Sequence, residues 1–248
     1  MKNLRIFTLA TALLFAGSFT LMAQIKLPSI IQKVTGGNGT PSSLDVGTAL
    51  KEALTQGTSK SSDQLSALNG YFGNPSVKIL FPPEAQKVES RLRQLGMNDL
   101  CDKVILSLNR AAEDAATQAK PIFIDAIKQM TLDDAMKILL GSNDSATQYF
   151  KRTTTAALIL AFKPIIQASL NKVGATQYYG QAANTYNRIP FVSKINPDIA
   201  DYACQKAIDG LFVQIAVEEL NIRQNIGARP SPIMQKVFAY ADKNKPAN

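Results

Sequence analysis

Between residues 196 and 225 the chain passes from a one-sided apolar pattern to one apolar nearly all the way round, and this stretch organises the rest. Asn196, Pro197 and Asp198 suit a helix start: a cap acceptor, a residue that needs no donor, and an acid in the first turn. Ala200, Cys204, Ile208 and Leu211 follow on one helical stripe, with Asp201 and Lys206 off it. The run 211–217 is then apolar on almost every face, which predicts a helix covered on every side. Gly210 inside it costs about 1 kcal/mol against Ala, so we expect another helix backbone to cross there.

The same periodicity predicts the other elements. A helix from Ser43 to about Leu68 carries Leu44, Val46, Leu50, Leu54 and Leu65, with a weak middle at 57–62 that reads as a break. Residues 77–81 read as a short extended segment ended by Pro82 and Pro83. A helix over 84–95 stops at Gly96, and an amphipathic one begins near Asn98 with Leu100, Cys101, Val104, Ile105 and Leu108 on one face. Pro121 opens the next, through Met130. Thr131 and Asp134 make a capping-box start for 132–140, and Gly141 stops it. Asn143 or Ser145 caps a long helix that Pro164 should kink and Gly174 should end. A helix over 176–187, the loop 190–195, the central helix up to Gly227 and a last helix from Ser231 to about Tyr240 complete the chain. The expected fold is all-α: a single irregular bundle of eight or nine helices around one long buried helix, with at most one short strand and no internal repeat.

The N-terminus reads differently. Lys2 and Arg5 precede an apolar core over 6–19 and a small-residue site at 21–23, the pattern of a secretory signal. An uncleaved anchor is the alternative, but that core falls short of the ~20 residues a spanning helix needs. The longest later apolar run, 156–162, is shorter still. We therefore expect a signal at 1–23, a Gly-rich tether at 24–43, one helical domain at 44–241 and a polar tail at 242–248. The mature protein is expected to be exported, periplasmic and without a transmembrane segment. The glycines at 36, 37 and 39 lack the Lys-Ser/Thr of a phosphate loop, so they read as linker.

Composition narrows the chemistry. Charged residues are 19% and hydrophobic ones 46%, which marks a globular chain. The formal net charge of +8 is scattered rather than clustered, and no nucleic-acid module is present, so a nucleic-acid partner is not expected. There is no His. That removes the commonest general base, the commonest metal ligand and the ordinary catalytic triad together. The two cysteines, Cys101 and Cys204, each lie on an apolar stripe. In an oxidising compartment they are open to a disulfide worth up to ~4.7 kcal/mol in the chain-entropy model, or they are two buried thiols.

Several ordered signatures carry a resemblance. They include Asn109-Arg110-Ala111-Ala112-Glu113, Phe123 with Ala126, Ile127, Met130 and Thr131, and the run from Ala146 to Phe150. Pro164-Ile165, Val173-Gly174, the run from Lys206 to Phe212, and Glu218-Glu219 followed by Ile222-Arg223 complete the set. Together, over about residues 44–238, the chain resembles the bacterial family called domain of unknown function 4197. It departs at Ile226-Gly227, where that pattern has a Pro-Ala pair, and the two cysteines lie outside the pattern. The resemblance implies an exported, mostly helical bacterial protein. It implies no activity and no catalytic residues.

Acidic pairs are the remaining catalytic material: Glu113-Asp114, Asp133-Asp134 and Glu218-Glu219. Neighbours on a helix diverge by about 100°, so neither member of a pair can face the other across a substrate atom. Glu219 borders the stripe of Ile208, Ile215 and Ile222 and should want a cation, Arg223 one turn on or Arg110 from elsewhere. Arg110, beside Asn109 and Glu113, can clamp a carboxylate or phosphate, or tie two helices together. Tyr149, Phe150 and the later tyrosines 178, 179 and 186 can line an apolar cavity or fill the core. No EF-hand spacing appears, and neither metal nor cofactor is expected. The candidate ligand-binding set is thus Asn109, Arg110, Glu113, Tyr149, Phe150, Glu219 and Arg223. The leading reading is a protein that binds a small apolar or amphipathic ligand, or an envelope partner, between its helices. An assembly factor without a pocket comes second, and a carboxylate hydrolase third.

Overall fold

A computed structural model describes residues 40–244, apart from 189 and 192. The expected leader, most of the expected tether and the last four residues lie outside the described residues. Nine α-helices follow in order among the described residues: α1 (Ser43–Ser66), α2 (Gln86–Gln94), α3 (Asn98–Ala116), α4 (Ala119–Gln129), α5 (Leu132–Leu140), α6 (Ser145–Lys172), α7 (Ala175–Asn187), α8 (Ile199–Gln224) and α9 (Pro232–Asn244). Short 3-10 turns occupy Pro83–Ala85 and Ile226–Ala228. No strand occurs among the described residues, so the all-α expectation holds. Residues 78–82, part of the expected extended segment, carry no regular secondary structure.

Local signals set several boundaries. Ser42 caps α1 and Thr131 caps α5, each exchanging two hydrogen bonds with an Asp three residues on. At the second of these, hydrogen bonds from the Thr131 side chain and backbone hold the Asp134 carboxyl below the usual carboxylate range. α8 starts two residues later than its sequence suggests. Asp198 is the cap, accepting from the Ala200 N–H at 2.9 Å, while Asn196 accepts from Asp198 in the preceding turn. Its other end comes at Asn225, and Gly227 sits inside the 3-10 turn instead of terminating the helix.

The expected break in α1 does not occur. Thr58, Ser61 and Ser62 are buried, and each hydroxyl donates to the carbonyl four residues back at 2.8 Å. Those bonds satisfy polar side chains inside a packed helix without leaving the helix. Gly57 beside them lets α1 approach α8: a Cβ there would stand 3.7 Å from Glu218 Cβ and from Ile222 Cδ1. The tail expected from residue 242 is likewise helical up to Asn244.

α6 runs unbroken through Pro164, which is exposed, so the missing N–H falls on the solvent side. One buried stripe on it, Ala146, Phe150, Thr154, Leu158, Phe162, Ile166 and Leu170, is spaced by four throughout, with Thr147 and Tyr149 buried beside its start. A spacing of four overshoots a 3.6-residue turn, so the stripe winds by about 40° per step. α6 packs chiefly on α8 and α3, and also on α4, α5 and α7. An 18-residue window in it has a mean hydropathy of 1.3, so by length and composition alone it could cross a membrane, although no single run in it is that long.

α8 packs on α6, α1 and α3, with Ile208, Leu211 and Ile215 almost fully buried. It is not covered on every side. Val213 is 42% exposed and Val217 53% exposed, on the face opposite Ile215. The apolar sequence of 211–217 overstated its burial because one face remains without a neighbouring helix.

Candidate functional site

The polar residues singled out above form two separate clusters, and each does structural work. On α3, the Asn109 side chain pairs with the backbone of Ile79 as a neighbouring strand would. Its Oδ1 accepts from the Ile79 N–H at 2.8 Å and its Nδ2 donates to the Ile79 carbonyl at 2.8 Å. One turn on, Glu113 Oε1 accepts from the N–H groups of Tyr71 and Phe72, both at 3.1 Å. Arg110 donates to the other oxygen of Glu113 and to Asn69 Oδ1, the latter at 2.8 Å. Asn69 itself has a left-handed backbone, φ 67°. Three side chains on one face of α3 thus fasten the loop between α1 and α2, whose buried backbone would otherwise lack partners. Tyr71 completes the tie by donating to the Ala207 carbonyl of α8 at 2.6 Å. Burial, then Glu113, pushes its hydroxyl pKa far up, so it stays a donor.

The second cluster joins α8 to the turn between α5 and α6. Glu219 accepts from the Ala146 and Thr147 N–H groups at 2.9 Å each and from the Thr147 hydroxyl at 2.8 Å. It caps α6 from another helix, the role the sequence assigned to Asn143 or Ser145; Asp144, at the cap position, makes no side-chain cap bond. Arg223 is the cation beside it, at 2.8 Å. Arg223 also donates to the last carbonyls of α5, Ile138 at 2.8 Å and Leu139 at 3.2 Å. Anion at a helix start and cation at a helix end both match the dipoles they meet.

Tyr149 and Phe150 are core residues. Phe150 is fully buried, with its ring edge-on to Phe123 at 5.3 Å between centroids. The Tyr149 hydroxyl donates to the Ala126 carbonyl at 3.1 Å, and the Arg152 guanidinium lies 5.4 Å from its ring. Phe150, Glu219 and Arg223 share the lining of one small pocket of about 30 Å³. That is room for a water or two and far below the roughly 300 Å³ of a small ligand site. Asn109, Arg110 and Glu113 do not line it.

The acidic pairs diverge as their spacing requires. Glu218 bonds Lys60 at 2.8 Å while Glu219 faces α6. Asp114 accepts from Ser169, and Asp133 lies 3.7 Å from Lys137. Among the described residues no three Asp, Glu or Cys side chains gather as a metal site would need. Sequence reasoning missed Arg229, only 2% exposed, which donates to the Ile222 and Arg223 carbonyls at the end of α8 and to Asp242 at 2.9 Å. Nothing local marks it, since its partners belong to α8 and α9.

A second cavity, about 50 Å³, lies between α2, α3 and α7. Tyr178, Tyr179 and Ala183 of α7 line it together with Leu92 of α2 and Leu100 and Cys101 of α3. Tyr179 is 4% exposed, and its hydroxyl has no hydrogen-bond partner among the described residues. Burial first, then Glu84, pushes that hydroxyl up to about 12, so it is a neutral donor at neutral pH. α2 covers the cavity loosely: it contains no fully buried residue and packs through Val88 and Leu92.

Cys101 and Cys204 are both free and buried, so the bridge open to them is not formed. Burial pushes both thiols up, against lowering by Arg93 at the first and Lys163 at the second. A thiol-specific chromogenic reagent is expected to label both only after denaturation. Rapid labelling of the native protein would show that the α2 cover opens readily over Cys101.

Among curated proteins and solved structures, none matches the chain. A family model described as Protein of unknown function (DUF4197) matches residues 40–239. That span runs from just before the cap of α1 into α9 and contains both clusters and the cavity beneath α2, so the chain belongs to the DUF4197 family.

Proposed function

We propose that this is an exported, non-catalytic binding protein that takes the apolar end of an amphipathic ligand into the cleft between α2, α3 and α7. The observation that carries this reading is Tyr179, which lines the cleft and whose buried hydroxyl has no hydrogen-bond partner among the described residues. An unsatisfied buried donor costs roughly 1–3 kcal/mol, a cost that a ligand acceptor would offset. The wall is otherwise apolar, which suits an acyl or similar chain with one hydrogen-bond acceptor near it. At about 50 Å³ the cleft must widen to admit such a chain, and α2 is the element held least firmly. A binding role is also supported by the absence of His and by the engagement of Glu113, Glu218 and Glu219 in structural bonds.

Native mass spectrometry of protein purified gently from its own periplasm tests this. We expect a stoichiometric extra mass that leaves on denaturation. Tyr179→Phe should hold it less well while melting no lower than the parent, because the hydroxyl has no bond to lose. Ala183→Phe should exclude the mass by filling the cleft. A bare monomer mass from the parent protein would overturn the reading.

An envelope-protein partner is the second reading, favoured by Val213, Val217 and Leu220 along the uncovered face of α8. A photo-crosslinker placed at Val217 should then capture one envelope protein in the cell, and a label confined to water would remove this reading.

A further inference from the structure

Three of the segments that line the cleft beneath α2 also carry exposed apolar side chains. Tyr178 lines the cleft and is still 53% exposed. Leu95 and Met97, 76% and 43% exposed, form the turn between the cleft residues Leu92 and Leu100. Phe191 precedes the cleft residue Ile195 by four positions and is fully exposed. Its loop is closed by Asn187, whose side chain donates to the Ile195 carbonyl and accepts from the Ile195 N–H, both at 2.8 Å. Phe191 also has φ 65°, a left-handed conformation that a bulky residue adopts only where its surroundings impose it. Phe191 therefore stands in water, between Asn187 and Ile195, which are tied together, at a cost in hydration.

The charge around these side chains has one sign on the loop side. From residue 173 to residue 195 the only charged side chains are Arg188 and Lys194, which flank Phe191. On the other side of the cleft, Glu89 and Asp102 are both engaged by Arg93, while Lys87 and Arg91 add positive charge against Asp99. Apolar side chains projecting from a surface between cations fit the interface of a bilayer with anionic headgroups.

We propose that the rim of this cleft, led by Phe191 with Leu95, Met97 and Tyr178, docks onto an anionic lipid bilayer. Resting on the cleft reading above, the docked pose places the mouth of the cleft against the leaflet, so that an amphipathic ligand passes between bilayer and cleft without crossing water. Arg188 and Lys194 meet the headgroup phosphates while Phe191 enters the acyl boundary.

Vesicle co-sedimentation tests it, using periplasm-purified protein whose N-terminus is fixed by intact mass so that no leader contributes. The vesicles are phosphatidylethanolamine with a minor fraction of phosphatidylglycerol, and phosphatidylcholine alone. We expect binding to the first that weakens with added salt, and little to the second. Phe191→Ser should weaken it about tenfold through the lost apolar burial, and Arg188→Gln with Lys194→Gln should remove its salt dependence. All of these positions are exposed, so unchanged melting curves will show that the fold is intact. No binding to the anionic vesicles, or equal binding by the parent and Phe191→Ser, would overturn the docking proposal. The two readings fail separately. A co-purified ligand without vesicle binding removes docking alone, whereas vesicle binding by a protein that carries no ligand removes the cleft reading alone.

Discussion

Glu219→Ala is expected to lower stability by roughly 3–5 kcal/mol, the cost of breaking a buried ion pair by removing one partner. The side chains of Glu219 and Arg223 are only 6% and 9% exposed. Without the carboxylate, the Ala146 and Thr147 N–H groups lose their acceptor and Arg223 keeps only the α5 carbonyls. For a domain of this size the melting temperature should fall by about 10 °C. A neighbouring control sharpens the result. Glu218→Ala removes a pair whose lysine is 47% exposed, so its cost should be within about 1 kcal/mol. If the two variants melted together, the capping of α6 by Glu219 would carry none of the stability assigned to it.

The second large effect concerns two glycines inside helices, for which we expect opposite signs. Gly57→Ala in α1 should raise stability by about 0.5–1 kcal/mol, because helix propensity improves and the new Cβ meets ordinary contacts at 3.7 Å. At Gly210 in α8 a Cβ would stand 2.6 Å from Tyr71 Cε1 and 3.2 Å from Val77 Cβ. That ring cannot swing aside cheaply. It is fully buried, its hydroxyl is bonded to Ala207 and its backbone N–H to Glu113. Gly210→Leu should therefore lose about 3 kcal/mol through overpacking and the broken tyrosine bond. Thermal unfolding of both variants decides it: stabilisation by Gly210→Leu would mean that Tyr71 is not held as described.

Gly210 also shows where reading the sequence stopped. A glycine inside an apolar helix implies a close approach, and one exists. What approaches is the Tyr71 side chain, not the helix backbone that was expected. A gap in a helix surface is legible locally, whereas its occupant comes from 139 positions away in a loop with no periodicity. The exposure of Val213 and Val217 has the same origin. Helical periodicity describes which faces could be buried, and only the number of neighbouring helices decides which are.

The candidate site was less legible than the fold. Asn109, Arg110, Glu113, Glu219 and Arg223 stood out because polar residues on or beside apolar stripes need partners, and each has them. Those partners turned out to be mostly backbone groups of loops and helix ends, with Arg110 held instead by the side chains of Glu113 and Asn69, so residues chosen as ligand contacts hold the chain to itself. The cleft drew only on the tyrosines at 178 and 179 and on Cys101, whose sequence pattern is equally that of core residues.

What the sequence determined alone is what arises within a few residues. The capping box at Thr131, the bounds of α5, the pairing of Glu219 with Arg223 one turn on and the divergence of adjacent acids all follow from helical geometry. The tertiary structure decided everything that joins distant segments: the cap on α6 supplied from α8, the strand-like grip of Asn109 on Ile79, the free state of both thiols and the unpartnered Tyr179 beneath α2. Hydrogen bonds within a helix repeat with a fixed period that residue types can match. Bonds between helices depend on crossing points, and those are set by the packing of the whole bundle at once.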